Sequence, residues 1–314
     1  MRALVTGGAG FIGSHLVDQL VRNGYDVRVY DNLSSGKLSF LEHLGDRIEF
    51  VKADLLNLKN VKQALRDIDV VFHMAANPDI RLGTEITNTD LEQGTIATYN
   101  VLEAMRLTGV SKIAFASSSV VYGEANQMPT PEDYGPCLPI SLYGASKLGS
   151  EGLITSWVGT FELQAWIYRF ANIVGSRGTH GVIYDFIHKL KRDSQRLEVL
   201  GDGHQEKSYM EVRDCARAMI HLFETQNEPI NVHNLGTGDT CSVRVIAEEV
   251  VAASGISDVD IYYTGGKRGW AGDVPRAWLD VSKLFATGFT PAMLSHEAIR
   301  HTADVLSIDF GLKE

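Results

Sequence analysis

The sequence predicts an α/β protein with a doubly wound parallel sheet and a smaller, mixed α/β C-terminal lobe. Three observations carry this. Short β-branched runs alternate with helical stretches through the first half, a glycine-rich turn joins the first run to the first helix, and regularity weakens after residue 170. The runs are Ala3 to Thr6, Val27 to Tyr30, Ile48 to Val51, Val70 to His73 and Ile113 to Ser117. Between and after them, His15 to Asn23, Asn60 to Asp67, Gln93 to Thr108 and Tyr143 to Gly159 place apolar residues three and four apart, the spacing of sheet-covering helices. That rhythm implies right-handed crossovers and parallel strands. Gln164 to Arg169 reads as a further strand, after which Gly175, Gly178, Gly181, Gly201 and Gly203 mark loops. Residues 1–170 are therefore expected to form one domain and 171–314 mainly a second lobe, with a segment near 212–236 returning to the first. No repeat or Pro/Ser-rich tether separates the lobes, so the expected active site is their cleft.

Composition narrows the function classes. A net charge of −10 without a dense Lys/Arg run disfavours nucleic acid as a partner. No stretch is apolar enough for a bilayer, and Met1 to Val5 runs directly into a glycine turn, leaving no room for a secretory signal. A cytoplasmic protein without a membrane partner is expected. Cys137, Cys215 and Cys241 are odd in number and far apart, which suits a reducing compartment and gives neither a disulfide framework nor a metal site.

Gly7-Gly8-Ala9-Gly10-Phe11-Ile12-Gly13 lies between the first strand and the first helix, the context a dinucleotide fingerprint requires. Gly7 permits the tight turn, Gly10 lets backbone approach a pyrophosphate, and Gly13 lets helix pack on strand. Asp31 ends the second strand, where a carboxylate can bind both adenosine ribose hydroxyls and repel a 2′-phosphate, favouring NAD over NADP. Asp31-Asn32 also reads as a turn-forming pair. Tyr143-Gly144-Ala145-Ser146-Lys147 sets a phenol and an ammonium four apart, on one face of a helix. Alone, this spacing is equally a surface-packing pattern.

Taken together, Thr6 to Ser14, Asp31-Asn32, Asp54, Phe72 to Ala76, Ser117 to Gly123 and Tyr143 to Lys147 resemble the extended short-chain dehydrogenases, whose nucleotide-binding domain is a Rossmann fold. Among these the chain is similar to the UDP-glucose 4-epimerases, since Arg169 to Asn172, Leu200 to Gly203 and Arg268 to Pro275 resemble that family's nucleotide-sugar segments. The resemblance implies that Tyr143 transfers the proton, that Lys147 holds the nicotinamide ribose and lowers the phenol pKa, and that Ser118 binds the reacting hydroxyl. It implies NAD held by Gly7, Gly10, Phe11, Ile12, Gly13, Asp31, Asn32, Ser34, Gly36, Asp54, Leu55, Ala75, Ala76, Asn77, Tyr143 and Lys147. A UDP-sugar would be held by Ser118, Ser119, Tyr143, Asn172, Phe186, Lys207, Tyr209, Arg268 and Asp273. Lys207 stands where many members carry Arg, and also reads as a solvated surface lysine. Asp273 also reads as a loop turn, and Phe186 and Tyr209 as core residues. Gly94 replaces an asparagine that many members carry before the Gly/Ala-Thr pair, here Ala97-Thr98, and can loosen or bend its helix. Ala277, four residues after Asp273, is small where members carry more bulk, which suggests room at sugar C2.

The reaction implied is 4-epimerisation of a UDP-hexose, galactose/glucose or their N-acetyl forms, through a 4-keto sugar with transient reduction of NAD. Ser119 and Val120 stand where dehydratases of the superfamily carry Asp and Glu. The alternatives are a UDP-glucuronate 4-epimerase, a dehydratase, or a non-catalytic NAD-binding scaffold. A homodimer through the helices at Gln93 to Thr108 and Tyr143 to Gly159 is expected from the resemblance.

Overall fold

A computed structural model describes residues 1–270 and 272–313. The chain divides into two compact units: Met1–Tyr122, Pro136–Phe170 and Ala216–His233 form the first, while Gly123–Gly135, Ala171–Cys215 and the chain from Asn234 onward form the second.

The first unit holds a seven-stranded sheet. Its first six strands in chain order are β1 (Arg2–Thr6), β2 (Asp26–Asp31), β3 (Ile48–Lys52), β4 (Val70–His73), β5 (Lys112–Ser118) and β6 (Gln164–Phe170). The order across the sheet is Ile230–Leu235, β6, β5, β4, β1, β2, β3, and the pairs among β1 to β6 are all parallel. Four helices of this unit are α1 (Phe11–Arg22), α2 (Leu58–Ala64), α3 (Ala97–Thr108) and α4 (Leu142–Phe161). The sheet reads as continuous apolar runs because helices cover both faces. Leu4, Val71, Ile113, Phe115 and Ile167 from the strands pack with Val101, Leu102, Met105 and Ile154 from α3 and α4 in one buried cluster. Strand order reverses between β1 and β4, so a crevice opens at the carboxyl ends of the strands, where Thr6, Asp31, His73 and Ser118 terminate them.

Helix caps match the sequence chemistry. Asn57 and Ser141 accept the Asn60 and Gly144 amides at the starts of α2 and α4, and Gly109 ends α3 in the left-handed region at φ 79°. The stretch expected as one helix from Gln93 is instead a π-helical turn, Leu91–Ile96, that runs into α3. Gly94 explains why a residue with a side chain is absent there: a Cβ would lie 2.5 Å from the Ser146 Oγ of α4.

Beneath the crevice, His73 is 1% exposed and bridges two hydroxyls, Thr6 Oγ1 to Nδ1 at 2.7 Å and Thr98 Oγ1 to Nε2 at 3.0 Å. Thr98 donates its own proton to the Gly94 carbonyl, so Nε2 carries the imidazole hydrogen and Nδ1 accepts from Thr6. Burial, reinforced by the Lys147 charge, pushes His73 down to about 3. Its ordinary value in the unfolded chain is 6.5, so between these limits only the unfolded state takes up the proton. Stability is therefore expected to fall as pH drops below 6.5, by about 1.4 kcal/mol per unit. Urea unfolding of His73→Gln should show a shallower acid slope than the wild type, and identical slopes would assign the acid sensitivity elsewhere.

The second unit contains small sheets: Asn172–Val174 pairs in parallel with Tyr209–Glu211, Asp260–Tyr263 with Arg196–Val199, and Glu206–Lys207 lies between Cys241–Ser242 and Arg276–Ala277. Its core gathers Ile183, Phe186, Ile187, Leu197, Ile246, Val250 and Ile299. Among the described residues, no helix is long and apolar enough to cross a membrane, and no group of three metal-ligating side chains could hold an ion.

Candidate active site

The glycine turn between β1 and α1 is built to admit a ligand against bare backbone. Gly7 adopts φ +66°, and a Cβ on it would stand 2.7 Å from Ala75 Cα; a Cβ on Gly13 would stand 2.1 Å from the Gly7 carbonyl oxygen. Gly10 caps α1 without a side-chain hydrogen bond, which leaves the first-turn amides for an anion. Asp31, 7% exposed, accepts the amides of Ala9 at 3.0 Å and Leu33 at 2.8 Å, so one carboxylate ties the glycine turn to the end of β2. The Lys37 amide donates to the Ala9 carbonyl at 2.9 Å, and Gly36 stands so near Ala9 that a Cβ would meet it at 3.0 Å. The Asn32 side chain donates to Asp54 at 3.0 Å, while Asp54 also accepts the Leu56 amide. A cradle of close backbone and helix amides, bounded by a carboxylate with spare lone pairs, suits a dinucleotide pyrophosphate and its adenosine ribose.

Ser118 ends β5 and accepts the Val120 amide at 3.4 Å; Ser119 opens the following turn, Ser119–Tyr122. The start of α4 packs on that turn, since a Cβ on Gly144 would lie 3.0 Å from the Val120 carbonyl oxygen. Tyr143 and Lys147 are thereby carried to the strand end that bears Ser118. Lys147 is 3% exposed; its Nζ donates to the Ala116 carbonyl at 2.6 Å and lies 5.6 Å from the Tyr143 ring centroid. Burial pushes the ammonium down to about 8, against the opposing charges of Asp90 and Glu151. Burial first, and then the Asp90 charge, hold Tyr143 well above its ordinary range.

Glu151 carried no motif, and Arg169 entered the sequence reading only as the start of the Arg169 to Asn172 segment. Glu151, one turn beyond Lys147, receives both Arg169 Nε at 3.0 Å and Nη2 at 2.7 Å, and also the Ser117 hydroxyl. Arg169 Nη1 reaches the Tyr122 hydroxyl at 3.0 Å. The i, i+4 spacing from Lys147 was the available signal for Glu151; nothing in sequence marked Arg169 as its partner. The Asn77 side chain is spent on structure, donating to the Asp79 carbonyl and to Asp90 while accepting the Asp79 amide. That leaves it no spare amide hydrogen for a cofactor.

In the second unit, Lys207 Nζ meets Asp273 Oδ1 at 2.7 Å, the Gly269 amide meets Oδ2 at 3.0 Å, and Arg268 Nη1 donates to the Asp273 carbonyl at 2.6 Å. Arg268 also contacts Glu124 at 2.7 Å. Ala277 pairs with Lys207 between adjacent strands, and the Asn172 side chain donates to the Ser208 carbonyl at 3.2 Å. Phe186 and Tyr209 do not face outward as base-flanking rings would: they are 4% and 3% exposed and belong to the core.

Comparison with known proteins adds to this geometry. The model of the NAD dependent epimerase/dehydratase family matches residues 3–236. A UDP-glucose 4-epimerase of Mycolicibacterium smegmatis is 31% identical over 314 residues, covering 97% of this chain and 98% of its own. A crystal structure of a UDP-galactose 4-epimerase superposes with a TM-score of 0.89 at 42% identity, over 98% of this chain and 99% of that one. The UDP-glucuronic acid 4-epimerase of Bacillus cereus, solved with UDP-glucuronic acid and NAD, also gives 0.89 at 28% identity, with the same coverage.

Proposed function

The chain belongs to the NAD-dependent epimerase/dehydratase family, and from that premise we propose that it inverts C4 of a UDP-hexose, with UDP-galactose and UDP-glucose as the first candidates. The observation that carries this reading is the convergence of Ser118, Tyr143 and Lys147 at one strand end, with Ser119 and Val120 beside them instead of carboxylates. Elimination of water from a sugar needs an added acid and base, and this turn supplies neither.

NAD, when bound, supplies reversible acceptance of the C4 hydride. The rest of the chemistry belongs to the chain. Gly7, Gly10, Gly13 and Asp31 would hold the dinucleotide, with Asn32, Ser34, Gly36, Asp54, Leu55, Ala75 and Ala76 around it. Ser118 would orient the sugar C4 hydroxyl, Tyr143 would take and return its proton, and Lys147 would hold the nicotinamide ribose and balance charge on the phenol oxygen. Because the proton leaves and returns within one turnover, the active site needs no path to bulk water.

Asn172, Lys207, Arg268 and Asp273 are the proposed nucleotide-sugar residues. Lys207 and Arg268 are both tied to Asp273; a diphosphate would compete for these cations while Asp273 turned its lone pairs to the uridine ribose. Ala277 beside Lys207 supports tolerance of a 2-acetamido group. The exposed Ile96, Tyr99, Leu107 and Phe161 on and beside α3 and α4 support a homodimer through those helices.

Purified protein is to be incubated without added cofactor with UDP-galactose, UDP-N-acetylgalactosamine and UDP-galacturonate separately, and products resolved by chromatography. Formation of the gluco-configured partner from the first is expected. Conversion of UDP-galacturonate alone would move the assignment to a glucuronate epimerase, and conversion of none, even with NAD added, would defeat the proposal.

A further inference from the structure

A buried ion pair holds the strand end that bears Ser118, and its geometry exceeds what keeping a helix on a sheet requires. Ser117 and Arg169 are register partners on β5 and β6, and both send their side chains to Glu151 of α4. The Ser117 hydroxyl donates to Glu151 Oε1 at 2.5 Å, Arg169 Nε to the same oxygen at 3.0 Å, and Arg169 Nη2 to Oε2 at 2.7 Å. On its other arm, Arg169 Nη1 reaches the Tyr122 hydroxyl at 3.0 Å, with the guanidinium carbon 4.8 Å from the Tyr122 ring centroid. Ser117, Tyr122, Glu151 and Arg169 are each at most 8% exposed.

Each member adjoins a residue assigned to the chemistry. Ser117 precedes Ser118 at the end of β5, and side chains alternate faces along a strand, so fixing the first sets the direction in which the second leaves it. Tyr122 closes the turn Ser119–Tyr122 that follows. Glu151 lies one helical turn beyond Lys147, whose Nζ donates to the Ala116 carbonyl; successive turns of α4 therefore grip successive residues of β5, Ala116 and Ser117. Apolar side chains of similar volume would hold the helix on the sheet as firmly, since a buried ion pair gains little over them once desolvation is counted. What they would lack is direction: a bidentate pair of guanidinium and carboxylate fixes angles as well as distance.

We propose that the Glu151–Arg169 pair is a positioning device for catalysis: through Ser117 and Tyr122 it sets the direction of Ser118 relative to Tyr143 and Lys147. The proposal rests on the assignment of those three residues to the chemistry. The double variant Glu151→Met/Arg169→Met separates positioning from stability, because it removes both buried charges together. Its unfolding temperature should exceed that of Arg169→Met and its NAD content should match the wild type. Its kcat on UDP-galactose should nevertheless fall about tenfold with KM within about twofold, the signature of misplaced reacting groups and not of lost binding. A kcat at the wild-type value would overturn the proposal, because a pair that only supports the fold is replaceable by apolar packing.

A second readout needs no turnover. In crystals of the NAD-bound wild type and double variant, the separation of Ser118 Oγ and Tyr143 Oη should differ by about 0.5 Å or more, the tolerance of a productive site. An unchanged separation overturns the proposal even if kcat falls. A changed separation in a protein whose wild type epimerises no UDP-sugar would sustain the positioning and remove only the epimerase reading. Should the double variant not fold, Ser117→Ala and Tyr122→Phe decide, each removing one hydroxyl and leaving the ion pair in place. Slower turnover with a displaced Ser118 in either sustains the proposal, and wild-type kcat with wild-type separation in both refutes it.

Discussion

Tyr143→Phe is expected to lower kcat by about 10²- to 10⁴-fold, the usual contribution of a positioned general acid or base, while the bound NAD content and the unfolding temperature stay at wild-type values. Phe keeps the ring, which lies 5.6 Å from Lys147 Nζ, and removes only the hydroxyl. The phenol sits at the start of a helix whose first turn is clamped by the Ser141 cap and by the approach of Gly144 to Val120, so the substitution should disturb no packing. Turnover and cofactor retention must be measured on the same preparation. A kcat within about threefold of wild type would remove Tyr143 from the proton-transfer role. A loss of NAD together with activity would make the residue a cofactor ligand first.

The second large effect concerns stability. Arg169→Met should destabilise the protein by about 3–5 kcal/mol, because it strands the Glu151 carboxylate in the interior with the Ser117 hydroxyl as its remaining donor. Glu151 and Arg169 are both nearly inaccessible, at 5% and 8%, and their pairing ties α4 to the end of β6. The double variant Glu151→Met/Arg169→Met should recover much of the loss, since it removes the buried charge along with its partner. Urea unfolding of the two variants provides the comparison. A single-variant cost below about 1 kcal/mol would place the pair with weak surface bridges instead.

The fold was legible because its signals are local and mutually consistent. Gly7, Gly10 and Gly13 sit between an apolar run and an amphipathic helix, and each has a backbone reason to be glycine that the structure exposes atom by atom. Asp31 at the end of β2 and Tyr143 with Lys147 on one helix face were likewise readable from spacing, because helix and strand periods are properties of the backbone. Boundaries shifted by a residue or several; α1, for one, starts at Phe11 and not His15, because the turn amides continue into the helix without a side-chain cap.

What local pattern could not supply was the set of contacts between residues distant in sequence. Residues 123–135, read with the first domain, group with the second unit, where the Thr130 amide meets the Trp278 carbonyl at 2.8 Å. Phe186 and Tyr209 read either as base-flanking or as core residues, and the structure buries both in the second unit's core; an aromatic ring at helical or strand spacing carries no mark of which side it faces. Lys207 was readable as a cation, but not as the partner of Asp273, 66 positions away. The sequence by itself determined the parallel sheet, the dinucleotide turn and the Tyr-Lys pair, because each follows from backbone geometry over a few residues. Only the tertiary structure decided the charge around that pair, because Asp90, Glu151 and Arg169 act through burial, and burial is a property of the folded whole.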